Sequence, residues 1–199
     1  MKLRGAMVLV AVLPLLLLTA CRRSMSFNGQ PVEPAQKAPE LAGTNWDGKP
    51  FRLSDHTGKV TVVFFGYTFC PDVCPFTLAK MKQLYGRLGE RAEDLEVVFV
   101  SVDPKRDSIE KLAQYVPAFD RRFYGLSIPE DKLEAAIQPF GATVRFGVPS
   151  AGLETDSFYL VDHTGTYFVI DRQGMLRLKF APDTKVDQML PDIEKLLAS

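Results

Sequence analysis

The chain has 199 residues, enough for one ordinary domain with a real core once any targeting segment is set aside. Its composition is globular, 46% apolar and 24% charged. Basic and acidic residues number 24 each, so a net charge of zero gives no electrostatic reason to expect nucleic acid or an acidic partner.

The N-terminus reads as a targeting segment, not as part of the fold. Met1-Lys2-Leu3-Arg4 is basic, and Ala6 through Ala20 is almost wholly apolar. That run falls short of the roughly 20 residues a membrane-spanning helix needs, but it suits a signal peptide. It ends in Leu18-Thr19-Ala20-Cys21, which resembles the lipobox of bacterial lipoproteins, in which the cysteine is lipidated and becomes the new N-terminus. Residues 1–20 are therefore expected to be a lipoprotein signal peptide, with Cys21 the lipid anchor. The mature chain is expected outside the cytoplasm, held on a membrane without crossing it.

Residues 21–39 carry Pro31, Pro34 and Pro39 with no helical or strand period, and read as a flexible tether. A folded domain is expected over 40–199. Leu41 to Leu53 suggests two short strands around the Asp47-Gly48 turn. Val60 to Gly66 is continuously apolar, the pattern of a central strand covered on both faces. Leu78, Met81, Leu84, Tyr85 and Leu88 have helical spacing within Phe76 to Leu88. Leu95 to Val102 reads as a second buried strand, Ser108 to Phe119 as a helix and Phe123 to Ser127 as a short strand. Pro129 to Phe140 reads as a helix, and Gly141 to Asp156 as an irregular, glycine-rich excursion. Thr166 to Ile170 and Met175 to Phe180 flank a turn and predict a hairpin; Asp187 to Leu197 predicts a closing helix. Strand–helix alternation followed by a hairpin predicts an α/β, thioredoxin-like sandwich. It would carry an N-terminal β-hairpin extension and an insertion before the C-terminal hairpin.

The chemistry concentrates in Cys70-Pro71-Asp72-Val73-Cys74-Pro75, directly after the first central strand. Redox pairs of thioredoxin type are spaced Cys-x-x-Cys; the extra residue here points from fast disulfide exchange toward metal binding. With Cys21 taken by lipid, Cys70 and Cys74 form a disulfide, a metal site, or each at different times. Asp72 is expected to cap a helix starting at Val73, with Pro75 tolerated in its first turn. A helix N-terminus stabilises thiolate, so both cysteines are expected to have depressed pKa values. Soft thiolates select Cu(I), zinc or iron–sulfur chemistry; two sulfurs are too few for a structural zinc site, whereas copper accepts two or three ligands. Imidazole is the natural third ligand, and the chain offers His56 and His163. His56 sits in a polar turn and reads as an ordinary histidine. His163 precedes the hairpin strand, where the thioredoxin fold normally brings a cis-proline opposite the cysteine loop. On the residues alone, a ligand role for His163 and an ordinary structural role stand level. Met81, Met175 and Met189 read as packing residues and not as thioether ligands.

Gly66 to Pro75, Ser101-Val102-Asp103-Pro104-Lys105-Arg106-Asp107 and Val161-Asp162-His163-Thr164, in that order, resemble the Sco/SenC family of copper chaperones. The resemblance runs from about residue 40 to the C-terminus. It implies a thioredoxin-like fold, a membrane anchor and one copper ion per chain, as Cu(I) or Cu(II). Cys70 and Cys74 match the family's thiolate ligands and His163 its imidazole ligand. Asp162 either orients or screens the site or is an ordinary exposed turn aspartate, and Asp103 and Pro104 match the family's Asp-Pro after the second core strand, read as shaping a nearby loop and not as ligands. The implied role is maturation of the binuclear copper centre in subunit II of cytochrome c oxidase. The implied partners are that subunit and a periplasmic copper donor or thiol reductant; the chain itself is expected to be a monomer, which the resemblance does not fix.

Two other readings use the same cysteines. In a thiol-disulfide reductase, Cys70 would attack and Cys74 resolve, keeping the acceptor's cysteines reduced. In a peroxiredoxin-like peroxidase, the reactive cysteine usually follows Pro-x-x-x-Thr-x-x, and the upstream proline is absent before Cys70.

Overall fold

A computed structural model describes residues 26–147 and 159–199. The expected signal peptide, the lipobox with Cys21, and part of the excursion after Gly141 lie outside those residues. The strands are β1 (Gln30–Lys37), β2 (Ala42–Asn45), β3 (Pro50–Arg52), β4 (Val60–Gly66), β5 (Leu95–Ser101), β6 (Tyr124–Ser127), β7 (Val144–Phe146), β8 (Val161–His163), β9 (Tyr167–Ile170) and β10 (Met175–Phe180). The helices are α1 (Val73–Leu88), α2 (Ile109–Phe119), α3 (Glu130–Ile137) and α4 (Val186–Leu197).

Eight strands make one sheet in the order β1-β10-β9-β4-β5-β6-β2-β3. β4, β5 and β6 run parallel, as the intervening helices require, and β9 and β10 add antiparallel strands beside β4. β4 and β5 are buried at every residue, which explains their unbroken apolar runs. Alternate β4 side chains serve two cores. Val62 and Phe64 pack with Leu78, Met81, Met189 and Ile193 of α1 and α4. Val63 and Phe65 pack on the other face with Leu133 and Ile137 of α3 and with Val161 of β8. This is the thioredoxin-like sandwich expected, with the β2–β3 hairpin at one edge. Gly48 takes φ +80°, the left-handed backbone that the hairpin's Asp-Gly turn requires.

Two local expectations are corrected, and a third gains detail. The segment read as a tether forms β1, paired antiparallel to β10 from Gln30 opposite Lys179 to Lys37 opposite Met175, so the folded unit reaches upstream of residue 40. Its prolines are tolerated because β1 is an edge strand with an irregular register between Pro31 and Gln36. The strand is tied down before it begins: the backbone N–H groups of Asn28 and Gly29 donate to the buried Asp192 carboxylate of α4 at 2.7 and 2.9 Å. Within the excursion read as irregular, Val144–Phe146 is strand β7. His163 precedes the hairpin strand β9, as expected, and itself ends a further strand, β8, which pairs antiparallel with β7 in a separate two-stranded ribbon.

Candidate metal centre

β4 delivers the chain to the cysteine loop, and α1 begins at Val73 as expected. Cys74 falls in the first turn of α1 and is 1% exposed; Cys70, in the loop before it, is half-buried, and both are free thiols. Asp72 occupies the N-cap position, but its side chain makes no capping hydrogen bond. Gly66 is required for closeness, since a Cβ there would lie 2.6 Å from the Cys74 sulfur. The β7–β8 ribbon brings His163 over this loop, its Nε2 3.6 Å from Cys74 Sγ. The ring stands edge-on to Tyr67, 5.7 Å between centroids.

The two sulfurs and one imidazole nitrogen lie within 4.8 Å of one another, the one such group of metal-competent side chains among the described residues. Sulfur and nitrogen at typical bond lengths around a trigonal metal ion stand about 3.8 Å apart. The Cys74–His163 edge already has that span, and the others need a contraction of about 1 Å at most. Thiolates with one imidazole form a soft donor set suited to copper.

The expectation that both thiols acidify is corrected. The Cys74 thiol donates to the Cys70 sulfur, which holds Cys70 well below the usual thiol range; His163 and the backbone N–H groups of Asp72 and Cys74 add to this against the opposing effect of burial. The same hydrogen bond, with burial and the adjacent Cys70 charge, pushes Cys74 up. The two thiols are therefore unequal, Cys74 holding its proton more tightly than Cys70, and metal binding through both sulfurs would displace protons from the pair.

Asp162 is exposed, on the opposite side of β8 from His163, and does not orient it. His56 stands at the far end of the sheet, stacked on Phe51 at 4.5 Å with its Nδ1 2.8 Å from Glu96. Met81 and Met189 are fully buried core residues.

Asp107, Arg106 and Tyr159, whose roles the sequence did not disclose, surround the site together with Asp103, which was expected to shape a nearby loop. Asp107 is fully buried and accepts from the Ser101 hydroxyl and from the Thr68 backbone and hydroxyl, at 2.7, 3.0 and 2.6 Å, anchoring the cysteine loop to the end of β5. Burial pushes its carboxyl up, with those hydrogen bonds opposing. Asp103 is fully buried, pairs with Arg106 and accepts from the Tyr159 hydroxyl at 2.6 Å. Two buried acids in Asp-x-x-Arg-Asp directly after a core strand were the signal available.

The fold and site define a thioredoxin-like protein with a dithiol–imidazole centre. The SCO1/SenC family profile matches residues 30–198, and the chain belongs to that family. A putative copper-binding protein of Stutzerimonas stutzeri is 32% identical over 165 residues, 80% of this chain and 78% of that protein. The structure of Bradyrhizobium japonicum ScoI with copper bound matches with a TM-score of 0.71 at 30% identity, covering 81% of this chain and 99% of that one. The apo Sco1 solution structure from Thermus thermophilus matches with a TM-score of 0.76 at 36% identity, covering 87% and 99%.

Proposed function

We propose that this chain is a lipid-anchored, extracytoplasmic copper carrier that delivers one copper ion to the binuclear centre of cytochrome c oxidase subunit II. The observation that carries this reading is the convergence of Cys70, Cys74 and His163 within 4.8 Å, in a chain of the SCO1/SenC family. Cu(I) is held by the two thiolates with His163 completing a trigonal set; Cu(II), the harder ion, relies more on the imidazole. Loading displaces the Cys74 proton. Delivery proceeds by exchange, an acceptor thiolate bonding to copper as one of the chain's own thiolates leaves it. The anchor at Cys21 rests on the lipobox resemblance, and among the described residues no helix is long and apolar enough to cross a membrane.

The surface fits such exchange. Among the described residues the exposed large apolar side chains are Phe69, Val73, Phe76, Phe146 and Leu160. Three flank the cysteines, and the others lie on or beside the ribbon that carries His163. An acceptor approaching Cys70 would cover them.

The asymmetric thiols favour a second role in the same protein. The half-buried Cys70 thiolate attacks an acceptor disulfide, releasing one acceptor thiolate and forming a mixed disulfide. Cys74, deprotonated as it reacts, then attacks Cys70. The acceptor leaves as a dithiol, Cys70–Cys74 is left oxidised, and a dithiol reductant must restore it.

Copper titration of the reduced full chain in mild detergent tests the primary reading. One copper per chain with a thiolate-to-Cu(II) charge-transfer band supports it; no tight binding of either oxidation state leaves the reductase.

A further inference from the structure

The β5–α2 loop touches both halves of the metal centre. Asp107 holds the cysteine loop through Thr68. Arg106 holds the other half. Its Nε bonds Asp103, its Nη1 donates to the Tyr159 carbonyl at 2.8 Å, and its guanidinium lies 3.5 Å from the centre of the Tyr159 ring. The Tyr159 hydroxyl closes the loop by donating to Asp103. The same guanidinium faces Phe69 at 5.0 Å and Tyr67 at 5.6 Å, both on the cysteine side. Tyr67 in turn accepts from the Val161 backbone at 3.3 Å and meets the His163 ring edge-on. One side chain is thus the hub between the loop that carries the cysteines and the strand that carries the imidazole. Its Nη2 is buried and has no hydrogen-bond partner among the described residues, although a buried unpaired donor destabilises a fold. The guanidinium is held there by its stacking and its two other contacts, at the cost of that donor.

We infer that Arg106 is a positioning residue which fixes the His163 strand over the cysteine pair, through Tyr159 and Tyr67, and so sets the protein's preference for Cu(II) relative to Cu(I). This rests on the copper-carrier reading above. Loosening the hub lets His163 withdraw while leaving Cys70 and Cys74, so the loss falls on the ion that depends on imidazole. A role in charge alone would be met equally by lysine; a planar fork stacked on a ring is not.

The test is Arg106→Lys in the full chain. Cu(II) affinity should fall by about 10–100-fold, the range for groups that orient metal ligands. The charge-transfer band should shift, and Cu(I) affinity should stay within about threefold of wild type, since both thiolates remain. In the metal-free protein, the Tyr67–His163 ring contact seen by NMR should weaken. Tyr159→Phe, which removes only the hydroxyl bonded to Asp103, should show the same signature at lower amplitude, and it serves alone if Arg106→Lys does not fold. Wild-type Cu(II) affinity, spectrum and ring contact in these variants would overturn the inference. So would an equal loss of Cu(I) and Cu(II) affinity. If the wild type binds no copper the carrier reading fails instead, and the ring contact in the metal-free protein still decides whether Arg106 positions His163.

Discussion

Gly66→Ala probes how tightly the fold grips its own metal centre. Gly66 ends β4, and a Cβ there would stand 2.6 Å from the Cys74 sulfur and 2.7 Å from Phe99 Cε2. Atoms in comfortable contact are about 3.5–4.0 Å apart, so each neighbour must retreat by roughly 1 Å. Neither has room, because Cys74 is 1% exposed and Phe99 fully buried. The Gly66 backbone lies outside the positive-φ region, so the alanine acts by bulk alone. Overpacking of this kind costs about 1–3 kcal/mol. For a domain of this size each 1 kcal/mol lowers Tm by about 2–4 °C. Displacing the sulfur should also weaken copper binding by about tenfold or more. Urea denaturation and competitive copper titration of the same preparation read the two effects. Adding Phe99→Leu removes the ring clash and leaves the sulfur clash, so stability should partly recover while copper affinity stays low. Wild-type melting and affinity in Gly66→Ala would refute the close approach. Recovery of affinity in the double variant would show that the displacement runs through Phe99 and not through the sulfur.

His163→Ala should abolish the thiolate-to-Cu(II) band and most Cu(II) affinity while disulfide reduction by the protein largely persists; equal loss of both in parallel assays would argue against separate roles. Phe76→Ser, at a side chain 69% exposed beside the cysteines, should leave copper affinity unchanged and slow copper transfer to an acceptor protein in stopped-flow mixing; unchanged transfer rates would remove that face from the docking surface. Asp192→Ala leaves the Asn28 and Gly29 N–H groups without their buried acceptor and should cost about 1–3 kcal/mol. Amide exchange across Gln30–Lys37 should accelerate, and unchanged protection there would mean that β1 is held by β10 alone. Raising pH should lower stability through Asp107, whose carboxyl is pushed up by burial. That contribution is fully present below its unfolded value of about 3.9 and is lost as pH rises through the higher folded value. The stability of wild type relative to Asp107→Asn should therefore fall across that window, and a pH-independent difference by urea titration would contradict it.

What the sequence disclosed and what it hid divide along the reach of the interactions involved. β4 and β5 were legible because burial on both faces leaves its mark on every residue of a strand. α1 was legible because Leu78, Met81, Leu84, Tyr85 and Leu88 each report one core-facing position, and all five are buried. The cysteine pair was legible because two sulfurs four residues apart at a helix start meet through local geometry alone. β1 was hidden because an edge strand needs only a partner: β10 supplies the hydrogen bonds, and Pro31 and Pro34, two of the prolines that argued for a tether, sit where no second neighbour is paired. The position of His163 within β8 was hidden for a similar reason, its pairing being with three residues of β7 in a stretch that composition marked as irregular. The unequal thiols could not follow from the helix N-terminus either. That field acts on both sulfurs with one sign, and the inequality arises because one thiol donates to the other and the donor is the more deeply buried. Arg106 is the furthest case, for its role is a set of contacts to Asp103, Tyr159, Phe69 and Tyr67 that no spacing along the chain announces. A local motif named the candidate ligands of the centre, but the strand that brings His163 to the two sulfurs is placed by side chains whose meaning exists only in the folded protein.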